Sequence, residues 1–433
     1  MYLKEISESF KMWIKDVLAS FKTLFFWAIA GVVTGALVGP VGVVFHYGLH
    51  YLSEVRTENR WIVFFLPLGG LLIVWLYNLA GMKNDKGTNA VILAVRSDGQ
   101  LPFRTAVLIF ISTIITHFLG GSSGREGAAL QIGGSFAATE AKLFKLDEKD
   151  KKIFVMCGMS ACFSALFGTP VTAAIFSIEM ISVGIMHYSA VIPCVMSSIM
   201  AYRISVAAGV EPTSFHMLSV PKLDTDGVNI IVHMIPFAIV CAFVCRLFCY
   251  TLKKTKKVLT GKIENEYVRV LFGSFIIIAM TVISGSQTFN GAGGDVINAS
   301  FVYRVPFYYF AVKIIFTAIT LGCGFKGGEI VPSFFVGATF GSFFAPFFGI
   351  DFSFGAGIGL IAVFCGATNC PIASIFMSIE LFGTEAVPFF ALACGISYLM
   401  SGNTGLYGEQ KIMYSKLRPE YVNLRIKDKK NKI

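Results

Sequence analysis

The chain has 433 residues, of which 55% are hydrophobic and only 14% charged. A soluble domain carries roughly 25% charged residues, so a soluble catalytic domain is set aside, as is a disordered or fibrous chain. What remains is a polytopic membrane protein. Its net charge of +10 is assigned to topology rather than to nucleic acid, because no basic stretch has a folded soluble domain around it.

In chain order, residues 1–22 mix Lys4, Glu5, Glu8, Lys11, Lys15 and Asp16 with Phe10, Trp13, Ile14, Val17, Leu18 and Phe21. The apolar residues fall at helical spacing, which predicts an interfacial cytoplasmic helix and not a secretory signal. Apolar stretches follow near 23–49, 61–81, 102–120, 153–186, 189–209, 228–252, 268–286, 304–324, 330–366 and 370–401. A spanning helix needs roughly 20 apolar residues, so these predict about ten or more spans. Gly, Pro or a lone charge interrupts many of them. That pattern predicts helices that stop and restart inside the membrane, which lipid tolerates only where the backbone is buried or lines a cavity. The loop 249–269, with Lys253, Lys254, Lys256, Lys257, Lys262 and Arg269, is strongly basic. So is the tail, with Lys416, Arg418, Arg425, Lys427, Lys429, Lys430 and Lys432. The positive-inside rule places both in the cytoplasm.

Four breaks carry the chemistry. Asp85-Lys-Gly-Thr-Asn-Ala-Val91 is a glycine turn opening an apolar run; Thr88 and Asn89 there can donate hydrogen bonds or simply cap the helix. Gly120-Gly-Ser-Ser-Gly-Arg-Glu-Gly127 lets backbone N–H groups converge, and a helix starting near Arg125 points its positive end at the break. That is an anion site built from amides. Glu126 sits at its mouth, and an ionisable residue between apolar runs is a functional candidate. Its carboxylate can pair with Arg125, occupy the anion site itself, or take a proton, become neutral and leave. Gly322-Cys-Gly-Phe-Lys-Gly-Gly-Glu-Ile-Val-Pro332 is a similar break, with Glu329 either stabilised by a helix start or acting in the site. Gly402-Asn-Thr-Gly-Leu-Tyr-Gly408 offers the Tyr407 phenol, as a donor or as an interfacial belt residue.

The chain also repeats itself. Pro170-Val-Thr-Ala-Ala-Ile-Phe-Ser-Ile-Glu179 resembles Pro371-Ile-Ala-Ser-Ile-Phe-Met-Ser-Ile-Glu380, and Gly124–Gly133 lies on Gly328–Gly337. The offsets, 201 and 204, nearly agree and predict two homologous halves. Repeated halves with interrupted helices are a transporter signature, with the site where the breaks meet.

Other motifs are weaker. The ten Cys form no CxxC and read as small apolar packing residues. The six His show no ligand spacing beyond His46/His50, so no metal is expected. Gly121-Ser-Ser-Gly124 matches the GxSG of intramembrane serine proteases, and His233 is the one histidine in a suitable apolar setting. That remote alternative leaves the second half of the chain without a use, and the expectation is that the protein is not an enzyme.

The breaks, in this order, resemble the CLC family of anion channels and proton-coupled anion antiporters over about residues 23–413. Gly124-Arg125-Glu126-Gly127 matches the family's GREGP element, with Ala128 in place of Pro. Gly328 to Pro332 matches its GxFxP element, with Ile330 at the Phe position and Glu329 where an apolar residue is usual. Tyr407 matches its ion-coordinating tyrosine. Gly87-Thr88-Asn89-Ala90-Val91 replaces the GSGIP element whose serine coordinates chloride, and Met180 stands where chloride antiporters carry an internal proton glutamate. These departures resemble the bacterial fluoride/proton antiporter branch, many of whose members carry Met at the position of Thr88.

The resemblance implies an all-α membrane fold of two inverted repeats whose broken helices meet at a central anion site. It implies fluoride export in exchange for protons, with a chloride/proton antiporter or chloride channel as the alternative. Glu126 would be gate and proton carrier, and Glu329 would set coupling and selectivity. Thr88, Asn89, Gly124, Arg125, Gly127, Gly328, Ile330, Val331 and Tyr407 would line the anion path. No cofactor is implied. A homodimer in the inner membrane with both termini cytoplasmic is expected. The expected division is an interfacial helix (1–22), a first repeat (23–227), a second repeat (228–413) and a basic tail (414–433).

Overall fold

The computed structural model describes residues 2–83, 85–97, 99–222 and 225–426. Of the basic tail, Lys427, Lys429, Lys430 and Lys432 lie outside the described residues, as do the side chains of Lys4 and Glu5. The first half forms α1 (Tyr2–Glu58), α2 (Leu66–Leu79), α3 (Thr88–Arg96), α4 (Phe103–Phe118), α5 (Glu126–Leu143), α6 (Glu148–Phe167), α7 (Pro170–Glu179) and α8 (Val191–Ala207). The second repeats the order with α9 (Thr225–Lys262), α10 (Glu266–Ser284), α11 (Gly294–Val302), α12 (Tyr309–Cys323), α13 (Ile330–Phe344), α14 (Phe352–Thr368), α15 (Pro371–Phe382) and α16 (Val387–Met400). The nine-residue α3 and α11 are counterparts. The all-α, two-repeat architecture expected from the sequence is the one observed.

Among the described residues, six helices are long and apolar enough to cross a membrane alone, and six apolar helices of 10–17 residues are not. Four of the short ones lie where one apolar stretch holds two helices. Residues 153–186 divide at Gly168, whose φ of 76° ends α6, and restart at Pro170. Residues 352–382 divide the same way at Asn369, with φ 59°, and restart at Pro371. Proline suits a first helical position because it has no N–H to satisfy there, and a left-handed residue ends the helix before it.

The core is made by close backbone crossings. α5 packs on α6 and α13 on α14. Gly133 faces the Gly158 carbonyl, and Gly337 faces the Gly359 carbonyl, with no room for a side-chain carbon at either crossing. Small residues let membrane helices approach this closely. The crossings fix where α5 and α13 begin.

Three segments are arranged otherwise than the sequence indicates; one is 249–269, read as a loop, which is helical as the end of α9 and the start of α10 apart from residues 263–265. The helix expected over 1–22 is the first part of α1, which continues through position 22 to Glu58 without a break. At 1.5 Å per residue its 57 residues span about 85 Å, well beyond a hydrocarbon core of about 30 Å. Residues 411–425, read as the end of the last repeat and the start of a tail, form a hairpin. Strand β2 (Lys411–Tyr414) pairs antiparallel with β3 (Tyr421–Arg425) and parallel with β1 (Ser182–Val183), just after α7.

Candidate functional site

The first and second glycine breaks meet face to face. Gly124 N–H donates to the Gly328 carbonyl at 2.7 Å, and Gly328 N–H donates to the Gly124 carbonyl at 2.7 Å. A Cβ on Gly328 would lie 2.6 Å from the Gly127 nitrogen, and one on Gly127 would lie 3.0 Å from Gly328 Cα. Only glycine permits this approach, which is why the element is glycine-rich on both strands. The bridge is braced from behind. Ser122 N–H donates to Thr320 Oγ1 at 3.0 Å, and the Ser122 and Thr317 hydroxyls are 3.1 Å apart. His117 Nε2 lies 3.3 Å from the Gly124 carbonyl oxygen.

Because the breaks are paired, α5 and α13 both begin here, with Arg125 and Glu329 as their cap residues. Each start exposes N–H groups with no intrahelical partner. The Glu126 carboxylate fills the space between them. It is fully buried, and its Oε2 accepts from Arg125 N–H at 3.0 Å. The Val331 amide faces the same carboxylate. Its Oε1 lies 3.6 Å from Arg125 Nε and has no hydrogen bond. The carboxylate therefore stands where a small anion would sit among amides of two helix starts. Arg125 is held in turn by His46, with Nη1 3.3 Å from Nδ1.

The third break brings α3 to the same point from the other side. Thr88 Oγ1 lies 3.4 Å from the Gly127 carbonyl and 3.4 Å from Gln131 Nε2. Gln131 Nε2 also donates to the Gly127 carbonyl at 3.0 Å, and its own Oε1 is buried without a partner. Thr88 is thus tied to α5 through Gly127 and Gln131. Gln131, one turn beyond Gly127 on α5, escaped the sequence reading; its one available signal was that i, i+4 position. Asn89 Oδ1 accepts from Glu409 N–H at 3.0 Å. Tyr407 is 1% exposed, its hydroxyl has no hydrogen-bond partner, and it lies within electrostatic reach of both Glu329 and Glu126. Ile330 is fully buried at the start of α13.

Two cavities approach this point from opposite sides. One, of about 960 Å³, is bordered by Arg56, Arg60, His117, Arg125 and Val331. On the other side a cavity of about 370 Å³ is bordered by Thr88, Asn89, Gln131, Lys326 and Glu329. It shares Asn89, Lys256 and Glu329 with a wider one of about 1250 Å³ that also carries Lys253, Lys254 and Lys257. Lys326 Nζ pairs with Asp85 at 3.0 Å at this mouth. Both approaches are rich in cations, which concentrate anions near a low-dielectric passage. Glu126 borders none of the three cavities and lies between the two sides.

The serine motif does not assemble a hydrolytic pair. Ser123 Oγ is buried against Gly327 with no hydrogen-bond partner, while the Nδ1 of His233, on α9, lies 2.9 Å from the Phe348 carbonyl oxygen. A base must reach the nucleophile's proton.

Comparison with known proteins accords with this geometry. The family described as "Voltage gated chloride channel" matches residues 69–402. A "Chloride/fluoride channel protein" of Pseudomonas syringae pv. tomato is 34% identical over 409 residues, covering 93% of this chain and 90% of that one. The "H(+)/Cl(-) exchange transporter ClcA" of Vibrio campbellii is 22% identical over 413 residues, covering 84% and 82%. A solved structure of a CLC-type fluoride/proton antiporter superposes with a TM-score of 0.84 at 29% identity, covering 89% of this chain and 97% of that one. A slow cyanobacterial Cl⁻/H⁺ antiporter shares the fold, with a TM-score of 0.72 at 16% identity and coverage of 87% and 94%. The chain belongs to the voltage gated chloride channel family and has the CLC fold.

Proposed function

We propose that this multi-pass membrane protein exports fluoride in exchange for protons. The observation that carries the reading is the Glu126 carboxylate, buried among the amides of two helix starts and interposed between two cation-rich cavities. As an anion it occupies the passage. Once protonated it loses its attraction for the amides and can yield the position to a small anion. One group thereby excludes either the anion or the proton at each step, which is the requirement for exchange. Desolvating a charge is costly unless fixed dipoles replace the water, and helix-start amides are such dipoles.

Fluoride is favoured over chloride by two departures from the chloride-binding pattern. Asn89 stands in the third break, and Glu329 stands beside Gly328 on the path. A small, basic anion needs strong donors and is stabilised by a nearby carboxyl that can take up protons. The similarity to a fluoride/proton antiporter structure supports the same reading. Lys253, Lys254, Lys256 and Lys257 on the Glu329 side support a cytoplasmic mouth for that cavity under the positive-inside rule. Both termini are then cytoplasmic in the inner membrane, and the family resemblance supports a homodimer with one path per subunit.

The test is efflux from liposomes holding the purified protein, loaded with fluoride or chloride, with external pH recorded. Fluoride efflux with proton uptake and slow chloride supports the reading. Fast chloride efflux would instead make this a chloride transporter of the same fold.

A further inference from the structure

We propose that Arg96 is a positioning residue for ion selectivity: together with the strap 407–410 it holds the Asn89 side chain so that its NH2 group faces the anion path. The inference rests on the fluoride reading above and deepens it.

The strap contacts α3 twice. Glu409 N–H donates to Asn89 Oδ1 at 3.0 Å, and the Glu409 carbonyl accepts from Arg96 Nη1. Asn89 and Arg96 are seven residues apart, two turns along one face of α3. One backbone residue, 320 positions distant from Asn89, is thus gripped from both ends of a nine-residue helix. The Arg425 guanidinium adds a contact, with Nη1 4.0 Å from Glu409 Oε2.

The chemistry of the amide fixes its direction. A backbone N–H can be met only by an acceptor, so Oδ1 and not Nδ2 must face Glu409. Turning the amide over would set donor against donor. The two N–H donors of Asn89 are thereby turned away from the strap, and Asn89 borders both cavities that reach Glu329. Without the strap, a terminal amide of this kind is free to present either its oxygen or its nitrogen to the path.

The rest of the strap is anchored independently. Gln410 Nε2 donates to the carbonyls of Met180 and Thr368, each at 3.0 Å, and its Oε1 accepts from Asn369 Nδ2 at 3.1 Å. Immediately before the strap, Leu406 N–H donates to the Ala367 carbonyl at 2.8 Å. The same four residues include Tyr407, whose buried hydroxyl has no hydrogen-bond partner. Two donors from opposite ends of the chain, Asn89 and Tyr407, are therefore set on one frame, and Arg96 is the second side chain, after Asn89 itself, that joins the frame to α3.

Selectivity follows from distance. Coulomb attraction varies as the inverse of separation, so a small anion gains more than a large one from a donor held close and aimed, and loses more when the donor turns away.

The experiment measures fluoride and chloride efflux, with proton uptake, for wild type, Arg96→Met, Arg96→Lys and Asn89→Asp. Arg96→Met should lower the fluoride-to-chloride rate ratio by about three- to tenfold, the range one lost hydrogen bond carries, with protons moved per fluoride unchanged. Arg96→Lys, which keeps a donor, should restore most of the ratio. Asn89→Asp keeps the acceptor for Glu409 and removes both donors, so it should fold as wild type does and lose the fluoride preference even if Arg96→Met fails to fold. A wild-type ratio in Arg96→Met or in Asn89→Asp overturns the proposal. So does an equal slowing of both ions by Arg96→Met, since that marks a merely structural role. A wild-type protein that moves no fluoride overturns the underlying reading and this inference with it, whereas a fluoride-selective wild type with an unchanged Arg96→Met overturns the inference alone.

Discussion

Glu179 and Glu380 cap each other's repeats. Glu179, the last residue of α7, accepts from the N–H groups of Ile372 and Ala373 at the start of α15, at 3.1 and 2.7 Å. Glu380, near the end of α15, accepts from those of Val171 and Thr172 at the start of α7, at 2.9 and 2.8 Å. Each carboxylate thus satisfies two orphan donors at the positive end of the other half's helix. The similarity between residues 170–179 and 371–380 is therefore a contact as well as a repeat, and the antiparallel Gly124–Gly328 bridge has the same two-fold sense.

This reciprocity predicts that Glu179→Ala and Glu380→Ala destabilise the protein by similar amounts, about 1–3 kcal/mol each, because each leaves two helix-start N–H groups without an acceptor. Thermal unfolding in detergent checks it. A change confined to one of the two carboxylates would mean that the caps are not equivalent.

Gly328→Ala should abolish transport and lower stability. Its Cβ would lie 2.6 Å from the Gly127 nitrogen, so either the bridge opens or the helix starts move apart. Overpacking of this kind costs about 1–3 kcal/mol, and the displaced amides no longer converge on the Glu126 carboxylate. Fluoride efflux together with unfolding temperature separates the loss of the site from the loss of the fold. Gly328→Ala with normal flux would show that the close pairing is unnecessary.

Ser123→Ala should leave fluoride efflux within about twofold of wild type, since surface-independent removal of one unpartnered hydroxyl alters no hydrogen bond. An intramembrane hydrolase would lose all activity in this variant. Efflux and hydrolysis of a generic casein substrate, measured on one preparation, decide between them.

Much of the site was legible because its chemistry is local. A glycine break followed by Glu126 announces a helix start with a carboxylate in it, and the second copy at Gly328 announces where that helix meets its counterpart. What was not legible depends on partners far along the chain. Nothing near Asn89 reveals that its oxygen belongs to Glu409, and nothing near His117 reveals that its ring reaches the Gly124 carbonyl. His46 stood out only for its spacing from His50, yet it supports Arg125. Thr88 read as an anion ligand or a cap; that its hydroxyl also lies 3.4 Å from both the Gly127 carbonyl and Gln131 Nε2 is a relation set by how α3 meets α5. The continuity of α1 was hidden for another reason. The mixed charges of residues 8–16 resemble the surface of a separate helix, but neither glycine nor proline stands near position 22 to end one, and the helix runs on.

The central claim is that a single carboxyl, Glu126, both blocks the anion and carries the proton. The most direct measurement records fluoride efflux and proton uptake together for wild type and Glu126→Gln in liposomes. Glutamine keeps the size of the protonated side chain and cannot release a proton. The expected result is coupled movement in the wild type, and in Glu126→Gln fluoride movement with no accompanying protons. Full proton coupling in Glu126→Gln would contradict it.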